Sequence, residues 1–176
     1  MPPDRPVVIH NYCPQWPSQF DSERGQLQQI LPNAVIEHIG STAVVGLSAK
    51  PIIDVMMGVS SLAEIESRIA PLENLGYEYV PKHEAVLPQR RYFTKSIAQR
   101  KAFHLHAVVA GSDFWRIHLA FRDALRADPA LAQRYAALKR QLAAQHAKDR
   151  EAYTDAKAPF IAAVMTDIRA AQSLRA

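Results

Sequence analysis

The sequence of 176 residues has few of the features that cross-link a chain or anchor it in a membrane. Cys13 is its single cysteine, so no disulfide can form within the chain. No apolar run approaches the ~20 residues that cross a bilayer, and the N-terminal segment lacks the apolar core of a secretory signal. We therefore expect a cytoplasmic protein without a membrane partner.

An excess of one sign of charge is also missing. Lys and Arg number 21 and Asp and Glu number 17, which leaves a formal net charge of +4. The basic residues are interleaved with acids and alanines, whereas nucleic-acid-binding proteins usually gather them on one stripe. Nucleic acid is therefore not the partner that the sequence favours.

What the chain does contain is the composition of a folded globular protein. Apolar residues make up 48% and charged residues 22%. The length matches one domain, 1–176. The composition changes near residue 111, from β-branched runs separated by Gly and Pro to a stretch rich in Ala, Arg and Gln. This change predicts a sheet-containing core over 1–111 and a helical part over 112–176.

Hydrophobic periodicity predicts the order of helices and strands. Strands are predicted over 34–39, 51–59, 77–80, 91–95 and 103–109, with a further short one over 7–9. Helices are predicted over 18–31, over 62–75 and throughout the C-terminal part, where the last one bends or restarts at Pro159. The pattern indicates an α/β or α+β protein, in which a small mixed β-sheet is flanked by helices and followed by a C-terminal helical extension.

Asp54 is the one polar side chain in an otherwise apolar stretch over 52–59. The near-continuous apolar run is typical of a central strand that is buried on both faces. A carboxylate there is costly unless it is paired or binds a cation. It is either a structural partner of Lys50 or of a neighbouring arginine, or a catalytic residue or metal ligand.

Strand alternation places His104 and His106 on one face of their strand. With Asp54 nearby they would make a set of two imidazoles and one carboxylate. Such a set suits Mn, Fe, Ni or Zn better than Mg. The alternative is that one histidine packs against a backbone carbonyl while the other is exposed.

A turn of Gly40, Ser41 and Thr42 follows the strand over 34–39. Glycine lets the backbone approach a ligand, and hydroxyls beside free amides suit a phosphate, with Lys50 adding charge. The alternative is a plain turn whose hydroxyl caps a short helix.

Arg90 and Arg91 lie at the start of an aromatic strand. Either could close over a bound anion. The alternative is that the two arginines are charged side chains of an edge strand, where they prevent pairing with another chain.

The stretch over 37–54 reads EHIGSTAVVGLSAKPIID and resembles the signature of the GrpB family. The opening segment over 11–17 and the later blocks around His104, Arg122, Tyr135 and Tyr153 are also similar to that family, so the resemblance covers nearly the whole chain. Val45 stands where the family usually has proline, which affects loop stiffness more than chemistry.

The resemblance implies the nucleotidyltransferase fold. In active proteins of that fold, a Gly-Ser turn holds the nucleotide phosphates, and two acids one residue apart on a later strand bind Mg²⁺. On this resemblance Gly40 and Ser41 take the first role and Asp54 is the first acid. Met56 occupies the place of the second acid, which weakens the case for ordinary two-metal transfer.

We therefore expect a protein that binds a nucleotide or phosphorylated small molecule together with a divalent metal. The metal would be Mg²⁺ or Mn²⁺, or Zn²⁺, Fe²⁺ or Ni²⁺ if the histidines ligate it, and the reaction of an enzyme would be nucleotidyl or phosphoryl transfer. The resemblance extends to fusions with dephospho-CoA kinase, so one alternative is a non-catalytic module for a partner enzyme. A His/Asp metal site with unrelated chemistry is the other. The chain has no P-loop motif and is not itself a P-loop kinase.

Overall fold

A mixed β-sheet organises the computed structural model, which describes residues 6–174. Within that range the strands are β1 Val35–Ile39, β2 Ile53–Val59, β3 Tyr77–Tyr79, β4 Arg90–Ile97 and β5 Arg100–Val109. Their spatial order is β1-β2-β5-β4-β3. β2 and β5 run parallel, and the other neighbours are antiparallel. β2 is thus an interior strand, as its apolar run predicted.

Helices cover both faces of this sheet. They are α1 Trp16–Ile30, α2 Leu62–Glu66, α3 Ile69–Asn74, α4 Asp113–Ala127, α5 Pro129–Gln145, α6 Arg150–Asp155 and α7 Ala158–Ser173. Single 3-10 turns lie at Ser41–Ala43 and Pro81–His83. Among the helices of the described range, none combines the length and the apolar character that crossing a membrane requires.

The two faces of the sheet differ in character. On one face the main core packs beneath α1, α2 and α3, and its fully buried side chains include Leu27, Val55, Met57, Ile65, Leu72 and Leu105. Alternation turns Asp54, His104 and His106 to the opposite face. There a smaller cluster of Ile39, Met56 and Val108 packs against α4. The polar side chains therefore lie beside α4, away from the main core.

Two of the predicted elements differ in the structure. The helix predicted over 62–75 is two helices, because Pro71 has no N–H to donate and is accommodated in the first turn of α3. The strand predicted over 7–9 is not formed: the backbone N–H of Val7 donates to the carbonyl oxygen of Ala147, and the adjacent His10 forms an isolated bridge with Ala49. The restart at Pro159 is confirmed, since α6 ends at Asp155 and α7 begins at Ala158.

The turn after β1 brings the backbone against the first residues of β2. Gly40 has a φ of +72°, and a Cβ there would lie 2.5 Å from Oδ2 of Asp54. Gly46 has a similar φ of +80° but no atom within 4 Å of the corresponding position. Gly40 is therefore required for both its conformation and its closeness to Asp54.

An ion pair joins α1 to β4 in the main core. Nζ of Lys95 lies 2.9 Å from Oε1 and 3.0 Å from Oε2 of Glu23. The Glu23 side chain is 4% exposed and that of Lys95 13%. The pair is therefore largely removed from water, unlike the exposed pair of Arg24 and Asp21.

Replacing Lys95 with methionine should lower the free energy of unfolding by about 3 kcal/mol, because the Glu23 carboxylate would stay buried without its cation. Arg24→Ala is the control, and its exposed ion pair should contribute less than about 1 kcal/mol. Urea denaturation measures both. Equal losses in the two variants would contradict the assignment of Glu23 and Lys95 as a buried pair.

Gly40→Ala should destabilise the protein more than Gly46→Ala. Both alanines would adopt a left-handed conformation at a cost of about 1–2 kcal/mol. Only the methyl group at position 40 meets Asp54, and this overlap should add about 1–3 kcal/mol. Thermal or urea unfolding of the two variants checks the difference, and matching stabilities would refute the close approach.

Candidate functional site

The structure brings Asp54, His104 and His106 together. Asp54 on β2 is in register with His104 on β5. Nδ1 of His104 lies 3.1 Å from Oδ1 of Asp54, and Nε2 of His106 lies 3.6 Å from the same oxygen. Gly40 closes the other side of the carboxylate at Oδ2. Both oxygens of Asp54 therefore have neighbours that the fold holds in place.

The protonation states of these groups follow from their partners. Burial raises the pKa of Asp54, but the hydrogen bonds from His104 and His106 outweigh it and hold that pKa well below its usual range. The carboxylate is ionised and accepts, so Nδ1 of His104 carries the proton that it shares with Asp54.

His106 is held in the opposite tautomer. Burial lowers the pKa of His106 to about 4, so the ring is neutral at neutral pH. Nη1 of Arg90 lies 3.2 Å from Nδ1 of His106. Because a guanidinium can only donate, Nδ1 accepts, and the ring proton is on Nε2, facing Asp54. Both imidazoles thus direct an N–H toward one carboxylate.

This donor set does not fit a divalent metal well. A metal-bound histidine usually donates the N–H of its other ring nitrogen to an acceptor. In His106 the nitrogen that faces away from Asp54 instead accepts a hydrogen bond from Arg90. Met56, at the position of the second acid, is fully buried in the apolar cluster under α4. Over residues 6–174 no group of three or more His, Cys, Asp or Glu side chains is arranged to hold a metal ion. The metal predicted at Asp54, His104 and His106 stays a prediction.

Three lysines, Lys50, Lys139 and Lys157, interact electrostatically with Asp54. Lys139 on α5 donates to Oγ of Ser41 at 2.8 Å and to the carbonyl oxygen of Ser48. Nζ of Lys50 lies 5.1 Å from the ring centre of Tyr153. Nζ of Lys157 lies 4.6 Å from the centre of that ring. The lysines come from three separate segments that meet at the turn after β1.

Burial and mutual repulsion make these lysines weaker bases than usual. Burial, followed by the charges of Lys157, Arg140 and Lys50, lowers the pKa of Lys139 to about 7. Burial and Lys50 lower the pKa of Lys157 to about 8. Burial also lowers the pKa of Lys50. Asp54 opposes all three shifts, and within the described residues no lysine of this group forms a direct ion pair.

The other residues predicted for a phosphate site have mixed positions. Ser41 is joined to Lys139 as described, but the hydroxyl of Thr42 is buried and bonds Nε2 of His38 at 2.9 Å. Arg90 reaches the site through His106. Arg91 lies on the other face of β4 and pairs with Glu66 at 2.7 Å. The structure therefore does not bring Arg91 to the anion site, because neighbouring residues of a strand face opposite sides.

Sequence reasoning missed Lys139 and Lys157. Both lie in amphipathic helical segments, where lysine is typical of the solvated face. The available signal was their position beside Tyr135 and Tyr153, in the two late blocks that resemble a known family. Only the tertiary structure shows that Lys139 on α5 contacts the turn and that Lys157, at the start of α7, lies over the Tyr153 ring.

Comparison with known proteins identifies the family. The GrpB protein family matches residues 6–167. UPF0157 protein YqkA of Bacillus subtilis is 37% identical over 161 residues, which are 90% of this chain and 46% of that protein. Glutamate-rich protein GrpB of Alkalihalophilus pseudofirmus is 32% identical over 168 residues, 92% of this chain and 95% of its own length. A dephospho-CoA kinase of Mycolicibacterium paratuberculosis is 28% identical over 179 residues, 88% of this chain and 44% of that enzyme.

Solved structures agree on the architecture. The crystal structure of conserved protein GrpB from Enterococcus faecalis matches with a TM-score of 0.82 and 37% identity, over 91% of this chain and 96% of that one. The MgGTP-bound Cid1 poly(U) polymerase matches with a TM-score of 0.53, over 78% of this chain and 45% of the polymerase. Its identity is 16%, a level at which only the fold is shared. This chain belongs to the GrpB family and has the mixed α/β fold of the nucleotidyltransferases.

Proposed function

We propose that this protein is a nucleotidyltransferase that binds the phosphate chain of a nucleoside triphosphate between the Gly40–Ser41 turn and the three lysines. The observation that carries the proposal is the convergence of Lys50, Lys139 and Lys157 without direct ion pairs in the described part of the chain. Buried cations are costly unless an anion accompanies them. A polyphosphate supplies several charges along one chain and matches cations that come from separate segments.

Aromatic side chains beside Asp54 support a ligand that carries a base. The ring of Tyr92 is centred 5.6 Å from that of His104 and 5.1 Å from that of His106. The ring of Phe114 on α4 is centred 6.1 Å from that of His106. Flat rings of this kind favour stacking with another π-system. The fold neighbour Cid1 was crystallised with MgGTP, which is consistent with a nucleotide as the ligand class.

A non-catalytic nucleotide-binding module is the second candidate, and Met56 favours it. Carboxylates that bridge two ions are the usual means of phosphoryl transfer, and the buried Met56 cannot replace one. The similarity to part of a dephospho-CoA kinase supports a role beside a partner enzyme. Binding without turnover would favour this candidate, whereas release of pyrophosphate would favour the transferase.

Removing a lysine of the site should weaken nucleotide binding. The unmodified protein is screened by thermal shift with nucleoside triphosphates and sugar phosphates, each with Mg²⁺, Mn²⁺, Zn²⁺ or EDTA. A ligand at about 100 times its Kd stabilises by about 2.7 kcal/mol, which is roughly 5–10 °C for a chain of this size. Lys139→Met and Lys157→Met should each reduce affinity at least about tenfold, or ~1.4 kcal/mol.

Lys148→Met is the matched control, because Lys148 is exposed beyond the end of α5. It should bind as the unmodified protein does. A flat panel, or equal losses for Lys139 and Lys148, would refute the phosphate site. A shift that requires one metal would support the divalent ion predicted at Asp54.

Nucleotide affinity should fall as the pH rises from about 7.5 to about 9.5. The free protein has lowered pKa values, about 7 for Lys139 and about 8 for Lys157. A bound polyanion raises both values, so binding takes up protons and is favoured at lower pH. Isothermal titration in two buffers of different ionisation enthalpy counts the protons. Nucleotide binding to the Lys139→Met variant should take up fewer protons. An affinity that is constant over this pH range would contradict the assignment.

A further inference from the structure

We propose that Nε2 of His104 is a nucleophile that accepts the nucleotidyl group directly, in a reaction that needs no divalent metal. The proposal rests on the proposed function, because the triphosphate must first be held by Lys50, Lys139 and Lys157. It follows from the mismatch between the Asp54 site and a metal. The carboxylate that would bind the ion is instead engaged by imidazole N–H groups.

The hydrogen bond to Asp54 sets the orientation of His104. Nδ1 carries the proton and faces Oδ1 of Asp54 at 3.1 Å. Nε2 is on the opposite side of the ring, and in the neutral form of this tautomer it carries the lone pair. Within residues 6–174 it has no hydrogen-bond partner, and the His104 side chain is 22% exposed. The ring therefore directs Nε2 away from Oδ1 of Asp54, whose other oxygen lies against the turn that Lys139 contacts.

The carboxylate also makes that nitrogen more reactive. When Nε2 forms a bond to phosphorus, the imidazole ring becomes positively charged. An ionised carboxylate hydrogen-bonded to Nδ1 stabilises this charge and fixes the tautomer. Asp54 is thus a positioning residue for His104, in the arrangement by which acid and imidazole activate each other in covalent catalysis.

His106 cannot take the same role. Its Nδ1 accepts a hydrogen bond from Arg90, and its Nε2–H faces Asp54. Neither nitrogen has a free lone pair, and the side chain is 13% exposed. His106 therefore acts on Asp54, whereas His104 is directed to a ligand.

The lysines supply what a metal ion would otherwise contribute to charge neutralisation. Phosphoryl transfer relies on positioning and on stabilising the charge of the transferred and leaving groups. Lys139 is tied to Ser41 in the turn, and Lys50 and Lys157 flank the same Tyr153 ring. Three cations held by the protein fold can neutralise a leaving pyrophosphate without reorganising.

The reaction proceeds in two balanced steps. The Nε2 lone pair forms a bond to the α-phosphorus, and the bond from that phosphorus to the bridging oxygen breaks, so that pyrophosphate leaves with the electron pair. An acceptor hydroxyl then attacks the same phosphorus. The N–P bond breaks, its electron pair returns to Nε2, and the proton of the acceptor passes to water.

The test is covalent labelling of the full chain. The protein is incubated with each of the four common nucleoside triphosphates in EDTA and analysed by intact mass spectrometry. We expect a mass gain of one nucleoside monophosphate, stable in alkali and lost in acid, as for a phosphorus–nitrogen bond. His104→Gln should abolish the gain.

His146→Gln is the control for histidine loss, since His146 lies at the C-terminal end of α5, away from the site. Thermal unfolding confirms that each variant is folded, and Asp54→Asn should slow labelling while leaving the same labelled residue. Nucleotide binding without any label, a label that survives His104→Gln, or a label that needs added Mg²⁺ or Mn²⁺ would overturn the proposal. A gain of one phosphoryl group would overturn the nucleotidyl assignment. Absence of both binding and label would overturn the proposed function itself.

Discussion

Asp54 carries an ionised carboxylate on an interior strand of the sheet, where its oxygens need hydrogen-bond donors. The arrangement of the residues around it meets that need. Oδ1 is approached by His104 and His106, and Oδ2 lies against Gly40. A charged group in such a place is tolerated only when its partners are fixed. The parallel pairing of β2 with β5 and the left-handed turn at Gly40 provide these partners. The acid therefore links β2, β5 and the turn after β1 at one point.

The lysine cluster shows the opposite electrostatic balance. Lys139 is 2% exposed, and the packing that buries it lowers its pKa to about 7. A hydrophobic side chain of similar size would be more stable at this place in the free protein. Destabilising charges that are gathered at one point are typical of binding sites, where the ligand supplies the missing counter-charge. Under the proposed function, the protein gives up stability in the free state for affinity in the bound state.

Much of the fold could be predicted from local patterns. The continuous apolar run before and after Asp54 predicted an interior strand, and the alternation of His104 and His106 placed both on one face. Pro71 lies in the second of two helices where periodicity alone predicted one continuous helix. The prediction was wrong because a regular apolar spacing carries no information about a missing backbone N–H. Helical periodicity alone could not predict Lys139 as a site residue, because it distinguishes polar from apolar faces but not which polar residues become buried by tertiary packing.

The contact between Lys139 and Ser41 joins residues that are 98 positions apart in the chain. A contact of this length closes a large loop, and it forms late because the intervening chain must first be ordered. During synthesis the sheet strands β1 to β5 emerge before α5 and α6. The turn after β1 therefore remains without its contact to Lys139 until α5 has left the ribosome. Under the proposed function, a nascent chain that still lacks α5 has the Asp54 carboxylate but not the phosphate site, so polyanion binding would arise only after Lys139 and Lys157 have emerged.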